Sequence, residues 1–212
     1  MKTNNWFKCL DLNSLDRALE ELSSIGSVAI PCLDKDEREA LVSIVDALPR
    51  RSAKRIAGPK KTPVYQDFDL CYDVSPENPT WVLAKQLEEL IKVGMRNTGL
   101  SGHEVFEFND LIVQYYPPQS SGITAHRDHV RYRLVIAILI LSGDGHFCTC
   151  ENRQGEGAKI ILANPGDLLL MAGSGLVGET LGPLHFMRDV TQKRRTIGLR
   201  YDALRVTGNI AK

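Results

Sequence analysis

The chain has 212 residues, with 26 Lys+Arg against 26 Asp+Glu and a formal charge of +0, so the whole-molecule field attracts no anionic polymer and an anionic partner must meet a local patch. Hydrophobic residues make up 43%, enough for the core of one larger β-rich domain. The longest apolar run, Leu134 to Leu141, is too short to cross a bilayer, the N-terminal MKTNNWFKCL lacks a signal-peptide core, and the five Cys form no CxxC pair, so a cytoplasmic protein with reduced thiols and no membrane partner is expected.

Residues 1-100 read as mainly helical. Ser14 is placed to cap a helix whose Leu15, Ala18, Leu19 and Leu22 recur at helical spacing, and Gly26 is placed to end it in the left-handed region. A short strand over Val28 to Ile30 follows. Asp34 and Glu37 form a capping-box pattern ahead of Leu41, Ile44, Val45 and Leu48, and Pro49 stops that helix. A third helix is predicted from Thr80 to near Gly99, with Leu83, Leu87, Leu90 and Ile91 on one stripe. Each helix has a single apolar stripe, so all three are expected to pack against a sheet, and Trp6 and Trp81 to pack between helices. Charge is uneven: residues 11–46 hold nine acids and three bases, whereas residues 50–61 (RRSAKRIAGPKK) hold six bases and no acid. That basic stretch is either a solvated loop or a flap meeting an anionic substrate.

After Ser101 the period changes to that of strands, in VFEF, LIVQYY, ITAHRD, YRLVIAILIL, HFCTC, AKIIL, DLLLMA, PLHFM and RRTIGLRY. Turn signals separate them, among them Pro117-Pro118, Gly143-Asp144-Gly145 and Asn164-Pro165-Gly166. Many short strands with such turns imply a sandwich or barrel, so the expected class is α+β, a jelly roll buttressed by N-terminal helices. One domain over 1-212 is expected, with 1-100 as helical buttress and substrate flap and 101-205 as the jelly-roll core.

His126-Arg127-Asp128 sets an imidazole and a carboxylate two residues apart in a strand-like segment, on one face. With His185 from a later strand they make two His and one carboxylate, the facial triad that leaves three positions of a non-heme Fe(II) open. Two open positions suit a chelating 2-oxo acid and the third O2. Nine residues after His185, a strand places Arg194, Thr196, Gly198 and Arg200 on one face and Arg195 on the other. Its two long guanidinium arms suit the two carboxylates of one diacid, 2-oxoglutarate.

This order, His126-x-Asp128, His185, then Arg194-x5-Arg200, resembles the iron(II)/2-oxoglutarate-dependent dioxygenases, especially their AlkB-like branch. The segment LIVQYYPPQSSGITAHRD and the strand-turn-strand IILANPGDLLLMAG are similar to that branch over about Asn109 to Tyr201. The resemblance implies a double-stranded β-helix, Fe(II) held by His126, Asp128 and His185, and 2-oxoglutarate held by Arg194, Arg200 and Tyr116, with Gln114 where the family has Asn and Thr196 between the arginines. Arg194 would take the distal carboxylate and Arg200 would lie near the chelating end. Retention of Asp128 implies C–H oxidation rather than halogenation, with release of succinate and CO2. Alkylation-repair members carry an acid shortly after the His-x-Asp, whereas this chain has His129-Val130-Arg131-Tyr132-Arg133. A small, anionic metabolite is therefore the expected substrate, with Arg127, His129 and Arg131 as candidate contacts. Oxidative demethylation of alkylated nucleic acid is the alternative, and a cupin-like module holding a structural metal is the non-enzymatic one. The oligomeric state is left open.

Other motifs carry less. Gly173-Ser174-Gly175-Leu176-Val177-Gly178 matches a dinucleotide fingerprint, but Gly182-Pro183 stands where its helix should begin, so a loop is expected. Cys148 and Cys150 are expected as core thiols, and His103 and His146 as structural turn residues.

Overall fold

The computed structural model describes residues 6–205. In chain order its elements are α1 (Leu12–Ile25), β1 (Ser27–Pro31), α2 (Lys35–Asp46), β2 (Arg51–Ser52), β3 (Ile56–Ala57), β4 (Val64–Asp67), β5 (Asp69–Cys71), α3 (Pro79–Asn97), β6 (Asp110–Tyr116), β7 (Gly122–His126), β8 (Tyr132–Ser142), β9 (His146–Cys150), β10 (Lys159–Ile161), β11 (Asp167–Ala172), β12 (Leu184–Arg188) and β13 (Arg194–Asp202).

Local chemistry sets the helix ends. Asp11, rather than Ser14, caps α1, because its carboxylate accepts from the amides of Asn13 and Ser14, and Ser14 itself donates its hydroxyl to Asp11 at 2.7 Å. Gly26 ends α1 at φ 79, and its N–H reaches the Leu22 carbonyl. The capping box of α2 forms as expected between Asp34 and Glu37. Asn78 caps α3, with Pro79 at the first helical position.

The strands form a seven-stranded sheet in the order β1-β11-β8-β13-β6-β5-β2 and a six-stranded sheet in the order β10-β9-β12-β7-β4-β3. The pairings within them are antiparallel, which is the expected double-stranded β-helix layout. The helices cover the outer face of the larger sheet: Leu19, Leu41 and Leu87 join one core with Val135, Ala137 and Leu139 of β8 and Ile197 and Leu199 of β13. A second core lies between the sheets, where Ile112, Ile136, Leu169 and Met171 meet Phe147 and Met187. Because β8 is buried on both faces, its sequence is an unbroken apolar run rather than an alternating one. Each such aliphatic side chain taken fully from water contributes about 1.5–3 kcal/mol.

Two expectations are corrected here. The helical reading of residues 1-100 is incomplete, since beside the three helices the stretch from Arg51 to Cys71 supplies four strands that extend both sheets. Residues 105–108 (VFEF) form no strand. Phe106 and Phe108 are buried there, and the Phe108 N–H is satisfied by the buried Glu88 carboxylate at 2.8 Å instead of by a ladder partner. Among the described residues no helix is long and apolar enough to cross a membrane.

Candidate active site

The antiparallel pairing of β7 with β12 sets His126 directly opposite His185. Opposed residues project from the same face, and the two imidazole centroids lie 4.3 Å apart. Gly122 makes the approach possible. It sits at φ 78, and a Cβ on it would lie 2.0 Å from the Met187 carbonyl oxygen of β12. Asp128 arrives differently from the strand alternation expected of it: β7 ends at His126, and the chain turns so that Asp128 Oδ1 lies 3.9 Å from His126 Nε2. The donor atoms of His126, Asp128 and His185 all fall within 4.8 Å of one another.

The proton positions suit metal binding. His126 Nδ1 lies 2.9 Å from the Thr124 carbonyl and His185 Nδ1 3.2 Å from the Pro183 carbonyl. A carbonyl can only accept, so each Nδ1 carries the proton and each Nε2 keeps its lone pair. Burial lowers the pKa of His126 and, with the His126 imidazole adding to it, brings His185 down to about 4. Burial acts to raise Asp128, but the Arg200 guanidinium and the two imidazoles outweigh it and hold the carboxyl below its ordinary range. Two neutral imidazoles and one carboxylate are a donor set for a divalent transition metal.

These three side chains line one wall of a cavity between the sheets. Its other wall is the inner face of β13 against β6, in the register Arg194 to Tyr116, Thr196 to Gln114, Gly198 to Ile112 and Arg200 to Asp110. The sequence pattern therefore holds: Arg194, Thr196 and Arg200 face the cavity, while Arg195 turns outward to Asp46 of α2. Gly198 leaves room between the arginines, since a Cβ there would meet Ile112 Cγ2 at 2.9 Å. Thr196 Oγ1 donates to Gln114 Oε1 at 3.2 Å. Burial raises the Tyr116 pKa, so its hydroxyl stays protonated and can donate.

The two arginines differ in their partners. Arg194 is 2% exposed, its Nη1 donates to the Asp144 carbonyl at 3.3 Å, and its Nε has no partner. Among the described residues no carboxylate pairs with it, and burial lowers its pKa. A buried guanidinium left in that state is costly unless an anion reaches it. Arg200 is already engaged: Nη1 faces Asp110 at 3.4 Å and the Tyr72 hydroxyl at 3.2 Å, Nε faces Asp128 at 3.8 Å, and the guanidinium lies over the Tyr132 ring. Despite its burial, these groups, Asp128 first, raise its pKa. One diacid spanning both arginines does not fit this arrangement, because Arg200 already faces two carboxylates. The buried residues therefore suit a carboxylate on Arg194, with Arg200 bracing Asp128.

The cavity opens into a mouth bordered by Arg127, His129 and Arg153. Arg127 Nε donates to the Gly182 carbonyl at 2.5 Å, and His129 Nδ1 accepts from the Arg131 amide at 3.2 Å. The side chain of Arg131 is not brought to the site; it pairs with Asp202 at 3.3 Å and donates to the Tyr132 hydroxyl at 2.9 Å. The backbone from Ala57 to Pro59 borders the mouth, whereas the bases of the 50–61 stretch are exposed and outside its lining. Sequence reasoning missed Asp110, Arg153 and the run Val64, Gln66, Phe68, Leu70, Tyr72. All five of that run line the mouth, and although they alternate along the chain, their strands are too short for that period to mark them in the sequence.

The remaining motifs are structural in place. Residues 173–178 form a loop before β12, and Cys148 is buried and Cys150 half-buried on β9. His103 and His146 contact the Leu100 carbonyl and Asp189. The Trp81 indole donates to the Val74 carbonyl at 3.2 Å, and Trp6 is buried with its amide on Gln86.

This architecture is the double-stranded β-helix of the 2-oxoglutarate-Fe(II) oxygenases. Superposable structures include an oxidoreductase of the 2OG-Fe(II) oxygenase family from Burkholderia pseudomallei, at 13% identity and TM-score 0.60 over 93% of this chain and 92% of that one. A Pseudomonas putida prolyl-4-hydroxylase matches at 17% identity and TM-score 0.60 over 88% and 98%. A Trichoplax adhaerens prolyl hydroxylase, in complex with a peptide fragment of the hypoxia inducible factor oxygen degradation domain, matches at 14% identity and TM-score 0.62 over 97% of each chain. At these identities the likeness establishes the fold. No protein-family model and no curated protein matches the sequence.

Proposed function

We propose that the chain is an Fe(II)/2-oxoglutarate-dependent dioxygenase that oxidises a C–H bond of a small anionic metabolite. The observation that carries this reading is the pairing, in one cavity, of a His-Asp-His donor set with a buried arginine that lacks an anionic partner. His126, Asp128 and His185 hold the metal. Arg194 takes the distal carboxylate of 2-oxoglutarate, with Tyr116, Gln114 and Thr196 donating or accepting along its length. Bound iron and 2-oxoglutarate supply the oxidising chemistry, consuming O2 and releasing succinate and CO2. Arg200 acts as a positioning residue, orienting Asp128 and keeping it ionised. The walls of the inner cavity, including Ile136, Ile138, Phe147 and Leu169, restrict water around the metal.

The arginine pair on one strand after His185 supports placement near the AlkB-like branch. A structural-metal module is disfavoured, because a structural site closes with a fourth protein ligand and has no use for a buried unpaired arginine. The arginines Arg127 and Arg153 of the mouth, with Asp128 the one acid among its lining residues, support an anionic substrate.

Anaerobic addition of Fe(II) and 2-oxoglutarate should produce a weak visible metal-to-ligand charge-transfer band, and His185→Ala should abolish both the band and O2-dependent succinate release. An alanine variant that makes succinate at the parent rate refutes the triad. Stimulation of succinate release is then screened with anionic metabolites, a proline-containing peptide and methylated oligonucleotides at two salt concentrations. Salt-sensitive stimulation by the oligonucleotide alone restores the nucleic-acid reading.

A further inference from the structure

We infer that Arg153 is the substrate's anion anchor, and that the substrate is an amphipathic monoanion with one acidic head on Arg153 and an apolar body directed toward the metal site. This deepens the oxygenase reading and rests on it for the direction of the body. Arg153 lies on the loop between β9 and β10, which local hydrogen bonds shape in advance. Asn152 Oδ1 accepts from the amides of Gln154 at 3.0 Å and Glu156 at 3.2 Å, the Glu151 amide meets the Glu156 carbonyl at 2.9 Å, and Cys150 Sγ donates to the Asn152 carbonyl at 3.2 Å. That frame presents Arg153 at the mouth beside the end of β7, where its Nη1 makes only a long contact, 3.5 Å, to the Ala125 carbonyl.

Two other arginines line the mouth: Arg127, whose Nε is held by the Gly182 carbonyl, and Arg200, which already faces Asp110 and Asp128. The six bases of the 50–61 stretch lie outside the lining. Among the described residues no acid pairs with Arg153, so its charge is open to an anionic group. The mouth is also lined by Val64, Phe68, Leu70, Ile112 and Ile123, an apolar shelf that reaches the metal-site cavity through Ile123, which shares β7 with His126. A compact polar dianion would leave that shelf wet, whereas a carboxylate with an alkyl or aryl body covers it and keeps its charge at the rim. The loop's hydrogen bonds limit the ordering cost of presenting the guanidinium.

Binding tests this without iron chemistry. Octanoate and 4-phenylbutyrate are titrated against the metal-free full chain by ligand-observed saturation-transfer NMR, beside octanamide and 4-phenylbutyramide. At least one carboxylate should bind about fivefold to tenfold more tightly than its amide, between the worth of an exposed ion pair and of a desolvated charge-assisted hydrogen bond. Arg153→Gln should remove that advantage, Arg153→Lys should keep most of it, and Arg194→Gln should leave it intact. Equal binding of acids and amides, an advantage that survives Arg153→Gln, or one lost only with Arg194→Gln each overturns the anchor. A carboxylate advantage that depends on Arg153, found in a protein that makes no Fe(II)-dependent succinate, supports the anchor and refutes the oxygenase reading.

Discussion

Replacing Arg194 with Met should make the ligand-free protein more stable while removing its affinity for 2-oxoglutarate. Arg194 is 2% exposed, its guanidinium makes a hydrogen bond of 3.3 Å to the Asp144 carbonyl, and its Nε is unpartnered. Exchanging a whole buried ion pair for apolar residues of similar volume is often neutral or stabilising by about 1–4 kcal/mol, and replacing Arg194 strands no partner carboxylate. A gain of about 1–3 kcal/mol is expected here, or a rise in Tm of about 2–4 °C per kcal/mol. Binding should move the other way. A forked, charge-assisted contact to a carboxylate contributes about 1.5–3 kcal/mol per hydrogen bond, so the Kd for 2-oxoglutarate should rise about a hundredfold or more. Arg194→Lys keeps the charge but loses the fork, and should weaken binding about tenfold to a hundredfold with no gain in stability. Urea unfolding of the metal-free protein gives the first quantity, and anaerobic titration of the Fe(II) protein with 2-oxoglutarate gives the second. A Met variant that loses more than about 1 kcal/mol yet binds 2-oxoglutarate like the parent would show that Arg194 is satisfied by the protein itself and awaits no anion.

Arg195→Lys should leave 2-oxoglutarate affinity unchanged and lower stability by about 1 kcal/mol, because it breaks the fork onto Asp46 at 2.8 and 2.6 Å. Equal losses of affinity at Arg194 and Arg195 would contradict the strand register. Stability of the metal-free protein should also fall in acid. The His185 pKa is lowered from 6.5 to about 4, so as pH drops below about 6.5 the unfolded chain binds a proton that the folded one refuses. The loss approaches about 3 kcal/mol by pH 4, and the lowered pKa of His126 acts in the same direction. Chemical denaturation between pH 7 and pH 4 should show this slope, and His185→Asn should flatten it. A parent as steep as its variant would mean that His185 is not buried as a neutral imidazole.

What could be read from the chain alone was what short-range chemistry decides. The Asp34–Glu37 capping box, the left-handed stop at Gly26 and the unbroken run of β8 depend on neighbours a few residues away, and all three stand in the structure. The alternation of Arg194, Thr196, Gly198 and Arg200 is of the same kind: a period of two is built into extended backbone, so which face each side chain takes follows once a strand forms. His126-x-Asp128 marked the metal ligands by residue type and spacing, although the two reach each other through a turn rather than along a strand. Strands β2 to β5 were hidden for the opposite reason. They are two to four residues long, too short for a periodicity to stand out, and they persist because they add to sheets already built from distant parts of the chain. Partnership was likewise tertiary. Two arginines of one type on one strand became unlike only when Asp110, Asp128 and Tyr72 were folded against Arg200 while no carboxylate among the described residues was paired with Arg194, and Arg153 acquired a place at the mouth only when the β9–β10 loop was carried beside β7. Residue type and period are local properties of the chain, whereas the charge a side chain meets depends on which strands pair and in what register.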